Sequence, residues 1–228
     1  MEYGQFCPIA KATEILGEKW TILIVRELLM GARRFSELQR GLTLISPTLL
    51  SKRLDALEQH GLLIKRRITG QKGHEYLTTP SCQELLPILV SLGEWGMRWA
   101  QANVTRDDYD VELLMLYLQR SIRPTALAGR ETAIRFHFTD IREYPDWWLL
   151  VQDEHVDICV NDPGREIDVY FTTTVEVMAN VWMGKISYRK AIADKKLALV
   201  GQQALINDVS AWMSDSIFAG IPPAKQIA

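Results

Sequence analysis

Polar and basic side chains are concentrated in the stretch SPTLLSKRLDALEQHGLLIKRR, from Ser46 to Arg67, in an arrangement that could bind nucleic acid. Ser46 is a favourable N-cap and Pro47 suits the first helical position, so a helix is predicted to begin here. One side of that helix is apolar, and the opposite side carries Thr48, Ser51, Lys52, Asp55 and Gln59. Hydroxyl and amide groups on such a face can read base edges while a cation reaches phosphate oxygens. An ordinary solvated face is the alternative.

A predicted β-hairpin rich in cations follows this helix. Its strands, Leu62–Ile68 and His74–Thr78, flank a turn at residues 69–73 that contains two glycines. The cations of the hairpin are Lys65, Arg66, Arg67 and Lys72. A basic hairpin can lie along the phosphate backbone and supply affinity that does not depend on base sequence. Alone it would be weak evidence, but next to a capped helix pair it favours nucleic-acid binding.

Three helices are predicted before the polar one, which completes a winged helix-turn-helix. They are Ile9–Leu16, the apolar and therefore buried Lys19–Met30, and a short helix that starts at a capping box from Ser36 to Gln39. Arg53 falls in the leucine sector of its helix, so an internal ion pair explains it as well as a phosphate contact does. The predicted DNA contacts are Arg33, Arg34, Ser46, Pro47, Thr48, Ser51, Lys52, Arg53, Arg67 and Lys72.

Five motifs follow one another between Cys7 and Leu62, within a resemblance that covers roughly residues 5–100: Cys-Pro, Gly-x-Lys-Trp, Arg-Phe-x-Glu-Leu, Ile-Ser and Leu-x-x-Leu-x-x-x-Gly-Leu. In type, order and spacing they resemble the HxlR-type winged-helix transcriptional regulators of bacteria. The resemblance implies a DNA-binding homodimer on a pseudo-palindromic operator. It also implies a redox role for Cys7, because in several members the cysteine at this position responds to thiol-reactive or oxidising signals. A small packed side chain is the alternative, since Lys11 is the only close cation that could favour a thiolate.

An apolar seam after the hairpin predicts a dimer interface without help from the family. Its members recur at alternating spacings of three and four, and they are Leu85, Ile88, Leu92, Trp95 and Trp99. Packing of the seam within the same subunit is the alternative. Pro87 lies inside the pattern and predicts a kink or a late helix start.

The second half predicts a different architecture, an α+β domain with an antiparallel sheet that is apolar on one face. A helix at Tyr109–Gln119 precedes several alternating strands. The later elements are predicted as helices Val175–Met183 and Tyr188–Lys195, strand Leu197–Val200 and a final amphipathic helix, Leu205–Phe218. Most of residues 108–220 resembles the sterol carrier protein type-2-like domain, in which helices over a curved sheet enclose an apolar cavity. The resemblance implies an apolar ligand contacted by Phe136, Phe138, Trp147, Trp182 and Trp212; simple core filling is the alternative.

Composition sets the remaining bounds. The 228 residues carry a net charge of about +3 in residues 1–105 and about −5 in the rest, so the two halves differ in kind. The polar stretch Gln101–Asp108 lies between apolar segments and places the boundary, which gives the winged-helix domain at 1–104 and the α+β domain at 105–228. The scattered histidines form no catalytic motif, and three widely spaced cysteines indicate neither a disulfide framework nor a zinc site. We therefore expect no enzyme, cofactor, metal or membrane partner, and a cytoplasmic location. A transcriptional regulator with a small apolar effector is the predicted function; a lipid-type carrier that uses the winged helix to dimerise is the alternative.

Overall fold

The chain divides into two compact units, Met1–Trp95 (unit 1) and Gly96–Ala228 (unit 2), in a computed structural model that describes residues 2–70, 72–127 and 131–224. The division falls inside a helix, before the boundary expected after residue 104. One reason is that the last turn of this helix bonds to unit 2, where the Arg98 carbonyl accepts a hydrogen bond from the Ala224 amide at 2.9 Å.

Unit 1 is a helical bundle with a two-stranded wing. Its elements are α1 (Pro8–Leu16), α2 (Thr21–Leu29), α3 (Phe35–Arg40), α4 (Pro47–Gln59), β1 (Leu63–Arg67), β2 (His74–Thr78), α5 (Pro80–Gln83) and α6 (Leu86–Trp99), which continues into unit 2. Leucines on one side of α4 pack with α2 around a core that includes Ile24, Val25, Leu38, Leu50, Leu54, Leu57 and Leu63. This packing leaves the opposite side of α4 to solvent.

The start of α3 differs from the predicted capping box. The helix begins at Phe35 with Arg34 as its N-cap, so Ser36 lies inside the first turn. The Glu37 carboxylate accepts hydrogen bonds from the backbone amides of Arg33 and Arg34, at 2.7 and 3.0 Å. Because Glu37 satisfies these amides from the third helical position, no serine hydroxyl is needed there.

Unit 2 is an α+β domain. Its elements are α7 (Val111–Ser121), β3 (Thr132–Phe138), β4 (Asp146–Gln152), β5 (His155–Cys159), β6 (Val169–Thr173), α8 (Val175–Trp182), α9 (Tyr188–Ala193), β7 (Ala198–Gly201), α10 (Gln203–Asn207) and α11 (Val209–Trp212). Two short 3₁₀ turns, Gln101–Asn103 and Arg106–Asp108, occupy the segment between α6 and α7, and a third, Pro124–Leu127, follows α7.

The sheet of unit 2 is mixed, so the purely antiparallel sheet expected from the sequence was wrong. Its strand order is β5-β4-β3-β6-β7, and β3 pairs in parallel with β6 from Ile134 opposite Val169 to Phe138 opposite Thr173. β5 lies at one edge of the sheet. The long connection 160–168 then carries the chain back past β4 and β3, so that β6 pairs with the free edge of β3. Strand alternation reveals which residues face the core but not the direction of a neighbouring strand.

The predicted helix from Leu205 to Phe218 was also wrong, because it is broken into α10 and α11. After Trp212 the backbone pairs with the end of α7 instead. The Arg123 amide donates to the Trp212 carbonyl at 2.7 Å, and the Ser214 amide donates to the Ser121 carbonyl at 2.9 Å. These bonds satisfy groups that would otherwise continue a helix.

Candidate nucleic-acid interface and ligand site

The exposed side of α4 provides the candidate base-reading surface. Thr48 and Lys52 are exposed and Ser51 is partly exposed. A shallow depression runs along this side and is lined by Pro47, Thr48, Ser51, Lys52, Asp55, Ala56 and Gln59. Within the described residues, the Lys52 ammonium has no ion-pair partner. The surface therefore offers hydroxyl and amide groups and one available cation.

Ser46 has a structural role at the start of α4. Its Oγ accepts a hydrogen bond from the Leu49 amide at 3.3 Å, and Pro47 follows at the first helical position. Both residues are exposed beside the candidate base-reading surface. The cap fixes where α4 begins and so determines which side chains face outward.

Two of the three consecutive wing cations are held by internal ion pairs. The Lys65 ammonium lies 3.1 Å from Asp55 of α4, and the Arg66 guanidinium lies 2.8 Å from Glu75 of β2. The hydrogen bond that Lys65 donates to Asp55 raises the pKa of Lys65, and the hydrogen bond that Arg66 donates to Glu75 lowers the pKa of Glu75. Arg67 and Lys72 are exposed, and the described part of the chain gives neither a carboxylate partner. Arg67 and Lys72 are therefore the wing cations available for contacts to phosphate.

The segment at Arg33 and Arg34 joins the wing, an arrangement that the sequence did not predict. Arg34 forms an isolated antiparallel bridge with Glu75, and the Arg33 carbonyl accepts a hydrogen bond from the Tyr76 amide at 2.8 Å. Their position before a helix cap gave no pattern of strand alternation. Arg33 is exposed and Arg34 partly exposed beside the hairpin, so both stay among the candidate phosphate contacts.

Arg53 is positioned by an internal ion pair rather than presented to solvent. Its guanidinium lies 2.5 Å from the Glu18 carboxylate and its Nε donates to the Lys19 carbonyl at 3.1 Å. Only 13% of the side chain is exposed. The structure thus favours the ion-pair alternative, and Arg53 contributes to the interface by fixing α4 against the turn before α2.

The apolar seam is largely exposed on α6. Leu85 packs against the core of unit 1, whereas Ile88, Leu92, Trp95 and Trp99 are 47–58% exposed. Leu86, which the spacing did not select, is also half exposed. The helix begins at Leu86, so Pro87 marks the late helix start that was one of the two expectations.

Cys7 is the N-cap residue of α1 and is partly exposed as a free thiol. Cys82 is buried and Cys159 partly buried, and burial raises the pKa of both thiols. Cys7 and Cys159 are therefore both partly exposed, and Cys7 is distinguished by its position at the start of a helix.

Most of the aromatic residues expected to contact a ligand fill the core of unit 2. Phe136, Phe138 and Trp212 are at most 1% exposed and Trp147 is 7% exposed. Phe171 of β6 completes the cluster: its ring centroid lies 4.5 Å from that of Phe136 and 6.2 Å from that of Trp212. These positions match the core-filling alternative.

Trp182 differs from the other four, because it lines an open pocket. The pocket measures about 180 Å³ and lies between α7, α8 and the segment that precedes α7. Leu113, Leu114, Tyr117 and Ala179 contribute to its apolar part. Among the residues originally selected, Trp182 is the one that can contact a bound molecule here.

Neither a metal site nor a membrane span is found in the described residues. No group of three or more His, Cys, Asp or Glu side chains is close enough to hold a metal ion, and no helix is long and apolar enough to cross a bilayer.

Comparison with known proteins identifies both halves of the chain. Residues 15–104 match the family described as HxlR-like helix-turn-helix, and residues 114–214 match the SCP-2 sterol transfer family. The uncharacterized HTH-type transcriptional regulator YvaP of Bacillus subtilis is 37% identical over 102 residues, which cover 43% of this chain and 94% of YvaP. An uncharacterized HTH-type transcriptional regulator of Mycobacterium bovis is 39% identical over 89 residues, 39% of this chain and 56% of that protein.

One solved structure covers the same share of this chain as YvaP does. The reduced form of the transcriptional regulator YodB from B. subtilis is 25% identical and covers 43% of this chain and 98% of its own, with a TM-score of 0.38. The winged helix, the motif order and the near-complete coverage of YvaP agree with one another. The chain therefore belongs to the HxlR-like helix-turn-helix family, and its second half carries a domain of the SCP-2 sterol transfer type.

Proposed function

We propose that this protein, a DNA-binding transcriptional regulator, binds a pseudo-palindromic operator as a homodimer in the cytoplasm and that a small apolar molecule bound by unit 2 changes its affinity for DNA. The observation that carries the DNA-binding part is the juxtaposition on unit 1 of the exposed polar side of α4 with the exposed wing cations Arg67 and Lys72. The α4 face supplies base contacts and the wing supplies phosphate contacts. The exposed apolar residues of α6 support the homodimer.

Oxidation of Cys7 is a second input that we include in the proposal. The free, partly exposed thiol at the first turn of α1 and the family's Cys-Pro motif support it. A lipid-type carrier remains the competing function, but the packed aromatic core over the sheet of unit 2 gives a long acyl chain little room there. We assign no catalytic step to any residue.

The DNA face is tested by operator binding across a salt titration, starting with the DNA upstream of the protein's own gene. Lys72→Ala is expected to weaken binding to all sequences and to reduce the slope of log affinity against log salt by about one, because one phosphate contact is lost. Ser51→Ala is expected to change base preference while leaving that slope unchanged. Lys196→Ala, which removes an exposed cation from unit 2, serves as the control and should alter neither property. Unchanged affinity and slope for both unit 1 variants would refute the assigned face.

A further inference from the structure

The pocket beside Trp182 has a rigid aromatic wall. The rings of Tyr117 and Trp182 are stacked with centroids 4.8 Å apart and an interplanar angle of 5°. The Trp182 indole Nε1 donates to Ser121 Oγ at 2.7 Å, and this hydroxyl donates to the Tyr117 carbonyl at 2.8 Å. Because both rings are held in place before any ligand arrives, a flat ring can pack against this wall with little loss of side-chain entropy.

One polar atom at the pocket has no partner. Gln101, in the first 3₁₀ turn after α6, lines the pocket, and its Oε1 is buried without a hydrogen bond within the described residues. A buried carbonyl oxygen left unpaired is destabilising, because it has lost its hydrogen bonds to water without gaining another. Because this oxygen is covered while the pocket is empty, a rotation of the Gln101 side chain is needed to bring it to the pocket surface, where an O–H or N–H group of a ligand would bond it.

The charges at the pocket favour a neutral ligand. The Asp108 carboxylate already accepts hydrogen bonds from the Thr105 amide and hydroxyl, at 2.7 and 2.9 Å, and Asp110 accepts one from the Leu113 amide at 2.9 Å. The Thr105 amide and hydroxyl lower the pKa of Asp108, so this carboxylate stays ionised. Lys185 is the cation in the pocket lining, and the two carboxylates outnumber it. An anionic ligand would meet net repulsion, while a cationic ligand would find both carboxylates engaged as caps.

The volume limits the ligand to about one ring. Benzene binds in an engineered apolar cavity of about 150 Å³, whereas sites for drug-sized ligands usually measure about 300–1,000 Å³. We propose that the 180 Å³ pocket binds a neutral, single-ring aromatic molecule with one hydrogen-bond donor, its ring against Tyr117 and Trp182 and its donor on Gln101 Oε1. This inference rests on the proposal that unit 2 binds an effector, and it names the chemical class of that effector.

The position of Gln101 gives the site a route to the rest of the chain. The segment 101–110 forms one wall of the pocket and is joined directly to the end of α6. A ligand bonded to Gln101 stabilises the conformation of this segment that presents Oε1 to the pocket. DNA affinity can change only as far as the ligand distinguishes the DNA-competent state from the incompetent one.

The test is calorimetric titration of the full-length protein, without DNA, using phenol and toluene as ring-matched probes with and without a donor. Phenol is expected to bind more tightly than toluene. Gln101→Met should lower phenol affinity by about tenfold and leave toluene affinity within about twofold, since it removes one hydrogen bond. Gln83→Met, at an exposed position on α5, is the matched control and should change neither affinity.

Two variants that fill the pocket complete the test. Ala179→Phe and Leu113→Trp each place a large side chain in the pocket and should abolish binding of both probes, with folding checked by circular dichroism. Phenol binding that survives both variants, or an equal preference for the two probes in the unmodified protein, would overturn the inference. Operator binding without ligand is measured separately. A protein that binds its operator but not phenol refutes only this site, and one that binds phenol but no DNA refutes only the proposed function.

Discussion

At the scale of single residues, Arg53 shows that a cation on α4 can stabilise the fold instead of being available to contact DNA. Its guanidinium bonds to Glu18 and to the Lys19 carbonyl, so it connects α4 to the turn before α2. The sequence placed Arg53 among the leucines and left both an ion pair and a phosphate contact open. The partner could not be predicted, because Glu18 lies 35 residues away along the chain.

We expect Arg53→Met and Glu18→Gln to be non-additive in the free energy of unfolding. Each single change removes the same pair, so the double variant should lose little more than either single one. With one partner 38% exposed, solvent screening keeps the coupling at about 1 kcal/mol or less. Urea unfolding of the four proteins measures it. Fully additive losses would show that the two residues do not interact, and a reduced salt slope of operator binding in Arg53→Met would indicate a phosphate contact.

Asp146 makes one part of unit 2 sensitive to acid. Its Oδ1 lies 2.8 Å from His137 Nδ1 and 3.0 Å from the Arg135 guanidinium. Burial alone would raise the pKa of Asp146, but the hydrogen bonds from His137 and Arg135 outweigh it and hold that pKa below its usual 3.8. The bonds therefore stabilise the fold above pH 3.8, and this stabilisation is lost as the pH falls through the lower pKa of the folded state.

Asp146→Asn is thus expected to destabilise the protein at neutral pH and to approach the unmodified protein in stability as the pH falls below the lowered pKa of Asp146, where both side chains are neutral. Thermal unfolding at a series of pH values measures the difference. Asp153→Asn, in the exposed turn after β4, is the control and should show no such convergence. A constant difference across the acid range would argue that Asp146 acts through shape alone.

At the scale of elements, the junction of α2 and α3 depends on a glycine in close contact with a buried carboxylate. Glu27 is fully buried and paired with Arg26 at 2.8 Å, and the Arg26 guanidinium also donates to the Gly41 carbonyl at 3.2 Å. A Cβ at Gly41 would overlap the Glu27 carboxylate. The sequence does not reveal this role of Gly41, because a close approach between two elements leaves no local pattern.

Gly41→Ala should therefore lower the free energy of unfolding by about 1–3 kcal/mol, the usual cost of overpacking. Gly96→Ala is the control, because no loss of stability is expected for it. A Cβ at Gly96, inside α6, would meet nothing within 4 Å, so alanine should leave stability unchanged or raise it by up to about 1 kcal/mol. Chemical denaturation measures the free energy of unfolding of both variants. An unchanged value for Gly41→Ala would mean that the Glu27 side chain can move aside.

Sequence periodicity predicted most elements well and failed where backbone partners came from afar. The elements from α1 to β2, together with α7, α8 and α9, end within two residues of their predicted bounds. The parallel pairing of β3 with β6 and the break after Trp212 depend on partners 35 or more residues away in the chain. The candidate site divides in the same way. The polar face of α4 could be predicted from local spacing. The ion pairs of Lys65 with Asp55 and of Arg66 with Glu75 could not.

At the scale of the whole molecule, the exposed seam on α6 carries the proposed homodimer. Leu92→Asp is expected to yield monomers and to abolish operator binding, since one half-site alone contributes too little affinity. The side chain is 47% exposed, so the variant should still fold. Sedimentation velocity and operator binding measure the two effects together.

Leu44→Asp is the matched control, because Leu44 is 85% exposed and lies outside the seam. It should remain dimeric. A folded, unmodified protein that sediments as a monomer at micromolar concentration would contradict the dimer, as would a Leu92→Asp variant that sediments as a dimer.

The parallel pair of β3 and β6 also has a consequence for synthesis of the chain. While the ribosome adds residues 139–168, β3 can pair with β4 but its other edge stays open, because β6 does not yet exist. That edge belongs to a strand with three fully buried apolar side chains, Ile134, Phe136 and Phe138. Unpaired, apolar strand edges promote association between chains. Premature termination within this window would therefore release an aggregation-prone product, whereas termination soon after α6 would leave a winged helix whose own two-stranded hairpin is already complete.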